Sequence, residues 1–196
     1  SSSSSSSSNI AAIFFAAIEE LNHDFVILME DLAPGQQGDQ LKGCTSDQAA
    51  LALEQLARLQ GPRWGDVQLA RHPMLSGGSD TGADENLLVQ FYDAVKPGYL
   101  DRYQHRLSEW DLSATERLSG FLPDYQAIYA DKPPVLIHVD YRLDNMMFGG
   151  PYPLTVVDWQ SLTTGCPVAD VSYFLGTSLL PELRAREERA LLRVYL

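Results

Sequence analysis

The first forty-one residues contain no lysine or arginine; Lys42 is the first basic side chain of the 196-residue chain. No G-x-x-x-x-G-K-[ST] occurs anywhere, so a P-loop that cradles phosphates on its backbone is excluded. Basic residues are scarce throughout, 14 against 26 acidic, for a formal charge of −12. Nothing supplies a basic stripe, which disfavours nucleic-acid binding. Only two cysteines occur, Cys44 and Cys166, far apart and without C-x-x-C or Cys/His spacing. A zinc site is therefore not indicated, and a reduced, cytoplasmic setting fits. The longest apolar run, Ile10 to Ile18, is too short to span a bilayer and leads into Glu19-Glu20. No signal peptide or membrane segment is expected.

What is present is concentrated in one stretch. Ile137-His138-Val139-Asp140-Tyr141-Arg142-Leu143-Asp144-Asn145 reads H-x-D-x4-N, and Val156-Val157-Asp158-Trp159-Gln160 follows. Phosphoryl transfer needs one carboxylate to take the proton of an acceptor hydroxyl. It also needs an amide oxygen and a second carboxylate to hold Mg2+ against ATP phosphates. Two apolar runs, Met146-Met147-Phe148 and Leu154 to Val157, flank the turn formers Gly149-Gly150-Pro151-Tyr152-Pro153, which predicts a β-hairpin. Pairing Phe148 with Thr155 brings Asn145 opposite Asp158. Asp140 then lies in the loop entering the hairpin, after the apolar run Val135-Leu136-Ile137. Each part has an ordinary alternative: a structural histidine, an aspartate capping a turn. The joint pattern favours the catalytic reading.

This constellation resembles the aminoglycoside phosphotransferase and choline kinase-like family of small-molecule kinases, which shares its core with protein kinases. The family usually writes H-G-D-x4-N; here Val139 stands in place of the glycine, and a slightly different loop backbone is expected. The resemblance implies that Asp140 is the catalytic base, His138 a loop-organising residue, and Asn145 and Asp158 the Mg2+ ligands. It places Arg142 where related kinases carry a phosphate-contacting lysine; the alternatives are a solvated arginine or a partner of Asp144. D-W-Q stands where protein kinases have D-F-G, and no A-P-E follows, which favours a small-molecule acceptor.

Upstream, Ala12 to Glu20 and Phe25 to Met29 predict two strands joined at Leu21-Asn22-His23-Asp24. The continuous apolar run Phe25–Met29 suits a strand buried on both faces. By the resemblance it ends at a hinge, where adenine bonds the carbonyl of Glu30 and the N–H of Leu32; a strand running into a surface loop is the alternative. The family carries a lysine paired with a helix glutamate before the hinge, and Asn9 to Asp24 contain no such lysine. An incomplete N-terminal lobe is therefore expected over 9–32, with a C-terminal catalytic lobe over 33–196; a degenerate kinase is the other account. Ser1 to Ser8 read as a flexible tail or as residues of unassigned identity.

Thr45 and Gln48 form a capping-box signal, and Ala49, Ala52, Leu53, Leu56 and Leu59 fall on helical spacing up to Gly61-Pro62. Arg71 to Glu85 predicts a flexible excursion. Helices are expected over 87–95, 99–109 and 114–129, the first two separated at Pro97-Gly98 and the third capped by Ser113. Their aromatic residues are expected in the core. A helix is expected from Asp170 to about Leu179. The family carries a similar P-x-x-D before a helix, by which resemblance Asp170 braces the catalytic loop; the alternative is a stabilising acid at the helix N-terminus. The chain then ends within a helical pattern at Tyr195-Leu196.

The fold class expected is α/β (α+β), kinase-like, with a mostly helical lobe carrying the catalytic hairpin. The activity expected is ATP- and Mg2+-dependent phosphorylation of a small-molecule alcohol whose identity the sequence leaves open. The acidic surface is compatible with a cationic amine, but plain solubility is the favoured reason for it. The rival is a catalytically inactive nucleotide-binding or scaffold protein. Neither nucleic acid nor membrane is an expected partner, and no oligomeric state is read.

Overall fold

The structure is a computed structural model describing residues 10–19, 21–22, 24–75, 87–130 and 132–196. The serine run, Asn9 and most of the 71–85 excursion lie outside these.

The first elements are β1 (Ile13–Ile18) and β2 (Phe25–Met29), an antiparallel pair with Ile18 opposite Phe25 and Ile13 opposite Met29. The expected burial of β2 is wrong: all five of its residues are exposed, Phe25 to 72%. Apolar composition specifies a strand that can be covered, and β2 pairs only with β1 in a two-stranded sheet.

The core is built on α1 (Ser46–Gln60). Its capping box forms as the sequence indicates: Thr45 Oγ1 accepts from Gln48 N at 3.2 Å, and Gln48 Oε1 accepts from Thr45 N at 3.0 Å. Ala49, Ala52, Leu53 and Leu56 are fully buried. They pack with Tyr141, Met146, Leu154 and Phe174, and with Leu191 and Tyr195 from the last helix. Truncating Leu53 in such a core typically costs about 2–5 kcal/mol.

α2 (Leu87–Tyr103) and α3 (Glu109–Ala130) correct three expectations. Pro97-Gly98 does not divide α2. The carbonyl that Pro97 orphans, on Asp93, lies on an exposed turn where water can serve it. α3 is entered at Ser108, not Ser113: Ser108 N donates to Asp111 Oδ2 at 2.9 Å and Asp111 N to Ser108 Oγ at 3.2 Å. The aromatics are largely outside, Phe91 at 64%, Trp110 at 73% and Phe121 at 60% exposure. Among the described residues α2 packs mainly on α3.

β4 (Val135–Ile137) pairs with β7 (Thr163–Gly165). Between them lies the hairpin β5 (Met146–Phe148) and β6 (Leu154–Val156), with β3 (Gln36–Gln37) added on the β5 side. The hairpin exists as predicted, one residue out of the predicted register. Phe148 faces Leu154 and Met146 faces Val156. The register follows from the turn: Gly149 N donates to Pro153 O at 3.0 Å, with Gly149 and Gly150 at φ 77° and 78°. Asn145 therefore meets Val157, whose N–H donates to Asn145 O at 3.0 Å, and Asp158 lies one residue beyond. α4 (Val168–Ser178) and α5 (Pro181–Tyr195) follow; Tyr195 bonds Gln60 at the end of α1.

Candidate active site

The loop from Ile137 to Asn145 is held from both sides. On the α4 side the buried carboxylate of Asp170 accepts from His138 N at 2.7 Å and from Val139 N at 2.9 Å. Burial pushes this carboxyl up, against the two N–H donors that favour its charge. The bracing role expected of Asp170 is thus observed. On the other side, His138 Nε2 pairs with Val157 O at 2.9 Å, joining the loop to the residue before Asp158. The His138 ring is fully buried and lies 4.8 Å from the Trp159 ring, whose Nε1 donates to Val156 O at 3.0 Å. Tyr141, one residue past Asp140, is anchored beneath it by a bond to Ala52 O at 2.6 Å.

Two backbone positions in the site are left-handed, Val139 at φ 74° and Asp158 at φ 64°. Aspartate tolerates this region; a β-branched residue pays for it. The loop thus keeps, with valine, a conformation for which glycine is the unstrained residue.

Of the three sequence-nominated oxygen-bearing residues, Asp140 and Asn145 are bonded to each other. Asn145 Nδ2 donates to Asp140 Oδ2 at 2.8 Å and to Asp140 O at 2.9 Å. Arg142 Nε sits 3.0 Å from Oδ2 and 2.9 Å from Oδ1 of Asp140. Tyr173 OH donates to Oδ1 at 3.3 Å. Burial raises the Asp140 carboxyl, but the donors Arg142 and Asn145 outweigh it and hold the group below the ordinary carboxylate value. It is ionised at neutral pH. Asp158 is exposed, next along the chain from the Val157–Asn145 bond.

Arg142 is engaged within the protein. Its Nη1 donates to Asp144 Oδ2 at 2.9 Å and to Gln40 Oε1 at 3.3 Å. Asp144 in turn accepts from Gln40 N at 3.1 Å, and its carbonyl accepts from Gln37 Nε2 at 2.6 Å. The pairing with Asp144, one of the alternatives read from sequence, is therefore formed. Gln37 and Gln40 had no local signal; a glutamine more than a hundred residues away becomes a partner only through the fold. Tyr173 did carry a signal, since it lies three residues after Asp170 on a helix.

In the segment after β2, Glu30 N donates to Ala12 O at 2.8 Å, and Leu32 O accepts from Gly35 N at 2.8 Å. The Glu30 carboxylate accepts from Tyr152 OH at 3.3 Å, which ties this segment to the hairpin turn. The approach is close enough that a Cβ on Gly150 would lie 2.5 Å from Leu32 O. Glu30 and Leu32 thus border the same hairpin that carries Asn145, at its opposite end.

The donors suit Mg2+. The amide nitrogen of Asn145 is spent on Asp140, which leaves Oδ1 as its metal-binding atom, and Asp158 offers an exposed carboxylate. Mg2+ is commonly bound by one or two hard oxygen donors plus phosphate oxygens and water. Among the described residues no group of three His, Cys, Asp or Glu forms an all-protein cage.

The sequence model of the phosphotransferase enzyme family matches residues 8–196. Acyl-CoA dehydrogenase family member 10 of Mus musculus is 37% identical over 84 residues, 40% of this chain and 7% of that protein. The gentamicin complex of APH(2'')-IIa superposes with a TM-score of 0.54 at 19% identity, over 96% of this chain and 60% of that one. ADP-bound aminoglycoside phosphotransferase APH(2'')-Ib gives 0.52 at 18%, over 96% and 60%. Choline kinase LicA from Streptococcus pneumoniae gives 0.51 at 11%, over 94% and 56%. The chain thus shares the kinase-like fold of these three structures and spans about 60% or less of the length of each, and 7% of the mouse protein.

Proposed function

The chain belongs to the phosphotransferase enzyme family, and from that membership we propose that the full protein transfers the γ-phosphoryl group of ATP to a hydroxyl of a small molecule. The observation that carries the reading is the bond from Asn145 Nδ2 to Asp140 Oδ2, 2.8 Å, beside the backbone bond from Val157 N to Asn145 O. It supports a base and two hard oxygen donors at one end of the hairpin. Asp140, kept ionised by Arg142 and Asn145, takes the acceptor's proton as its oxygen bonds phosphorus. The bond from phosphorus to the β,γ-bridging oxygen breaks, and ADP leaves with that electron pair. Asn145 and Asp158 would hold Mg2+, which supplies charge neutralisation on the phosphate oxygens when bound. His138 keeps the Asp158 segment against the Asp140 loop. Arg142 neutralises Asp140 and Asp144, and a phosphate contact would use the same cation. Backbone atoms of Glu30 and Leu32 would receive adenine. The ADP-bound relative supports an adenine nucleotide as co-substrate.

The acceptor class favoured is a cationic amino alcohol: the chain is strongly acidic, and the relatives include a gentamicin complex and a choline kinase. An inactive scaffold has no use for an ionised base held by three donors, and is not favoured. The test is ADP release by the full protein with ATP, Mg2+ and either choline or gentamicin. Asp140→Ala should lose on the order of a hundredfold or more in kcat, the usual contribution of a general base. Turnover equal to that of the unmodified protein would overturn the assignment.

A further inference from the structure

α4 meets the catalytic loop with two side chains three positions apart, which share one face of the helix. Asp170 holds the N–H groups of His138 and Val139, and Tyr173 donates its hydroxyl to Oδ1 of Asp140 at 3.3 Å. One helix therefore bonds three successive residues of the loop, and the third bond is to the reacting carboxylate itself.

The two oxygens of Asp140 are held differently. Oδ2 is committed to Asn145 Nδ2 at 2.8 Å, while Arg142 Nε lies between the two oxygens. The second side-chain torsion of an aspartate is broad, so one pinned oxygen does not by itself fix the carboxylate plane. Arg142 Nε, hydrogen-bonded to Oδ2, also approaches Oδ1 at 2.9 Å, and Tyr173 adds from the helix side the hydrogen bond directed at Oδ1. Tyr173 is 38% exposed, so it sits where the interior gives way to solvent. An ionised carboxylate oxygen accepts two donors, so Oδ1 can keep Tyr173 and receive an acceptor hydroxyl as well.

We propose that Tyr173 is a positioning residue for phosphoryl transfer, its hydroxyl setting the plane of the Asp140 carboxylate so that Oδ1 faces the acceptor. This rests on the reading of Asp140 as the base. The phenol remains protonated and so a donor, because burial and the adjacent Asp140 charge both push its ionisation up. Tyr173→Phe removes the hydroxyl and keeps the ring, so packing on the loop is retained.

The experiment compares the full protein, Tyr173→Phe and Asp140→Ala in ADP release with Mg2+, ATP and either choline or gentamicin, alongside thermal melting. The expected result is a roughly tenfold fall in kcat for Tyr173→Phe, the scale of one hydrogen bond to a charged group. The KM for ATP and the melting temperature should stay unchanged. Unchanged kcat in Tyr173→Phe, with Asp140→Ala inactive, overturns the role of Tyr173 and leaves the functional reading intact. A fall in kcat that comes with a lowered melting temperature or a raised KM for ATP also overturns it, in favour of a structural role. Equal rates in the unmodified protein and Asp140→Ala overturn the functional reading, and the proposal with it.

Discussion

Val139 holds a backbone conformation that β-branched residues rarely adopt, φ 74°, at the position next to the candidate base. The strain persists because Asp170 accepts the N–H groups of both His138 and Val139. A left-handed L-residue costs about 1–2 kcal/mol, and glycine's greater unfolded-state entropy offsets part of that. Val139→Gly should therefore stabilise the protein by roughly 0.5–1 kcal/mol. The shift would appear as a higher urea midpoint with an unchanged slope; a lower midpoint would show that the valine side chain contributes more than its strain costs. The resemblance marked this position as a departure from glycine and pointed to an altered loop backbone. The structure places Val139 in a left-handed turn and carries the cost. At this scale His138, Asp140, Arg142 and Asn145 were legible because the spacing H-x-D-x4-N is local. The engagement of Arg142 with Gln40 was not, since that partner is distant in sequence.

Among the elements, α4 does the most to position the site. Both carboxylate oxygens of Asp170 are used as acceptors, so Asp170→Asn leaves one backbone N–H facing an amide NH2 group. A buried donor left without an acceptor costs about 1–3 kcal/mol. The expected outcome is a loss of that size in urea denaturation, with a lower kcat and an unchanged KM for ATP; a variant as stable as the parent would contradict the bracing role. The legible elements share a property: their signals are local. The capping box of α1 is chemistry within four residues, and it formed as read. The hairpin was legible from its turn formers, but its register was not. A shift of one residue depends on which turn atoms bond, and Gly149 N to Pro153 O decides it. α2 was divided in the sequence reading because Pro97 breaks buried helices; on an exposed helix the orphaned carbonyl of Asp93 has water available.

Across the whole molecule, burial separated expectation from observation. The apolar run of β2 and the aromatics of α2 and α3 were assigned to cores; β2 is exposed, and so are Phe91, Trp110 and Phe121. Composition reports what can be buried; only the arrangement of partners decides what is. The core that does form, α1 against the hairpin, α4 and α5, fixes the catalytic loop through Tyr141 and the hairpin through Met146 and Leu154. That framework brings Asp140 and Asn145 into contact and sets Asp158 one residue past the bond between the hairpin arms. The account depends on Asn145 and Asp158 acting as a single Mg2+ site beside the base. The most direct measurement is Mg2+-dependent ADP release by the full protein and its Asp158→Ala variant, with the Mg2+ concentration varied at fixed ATP. Loss of a preorganised charge-stabilising ligand should lower kcat on the order of a hundredfold and raise the Mg2+ concentration needed for half-maximal rate. Undiminished turnover in Asp158→Ala, with the same Mg2+ dependence, would contradict it.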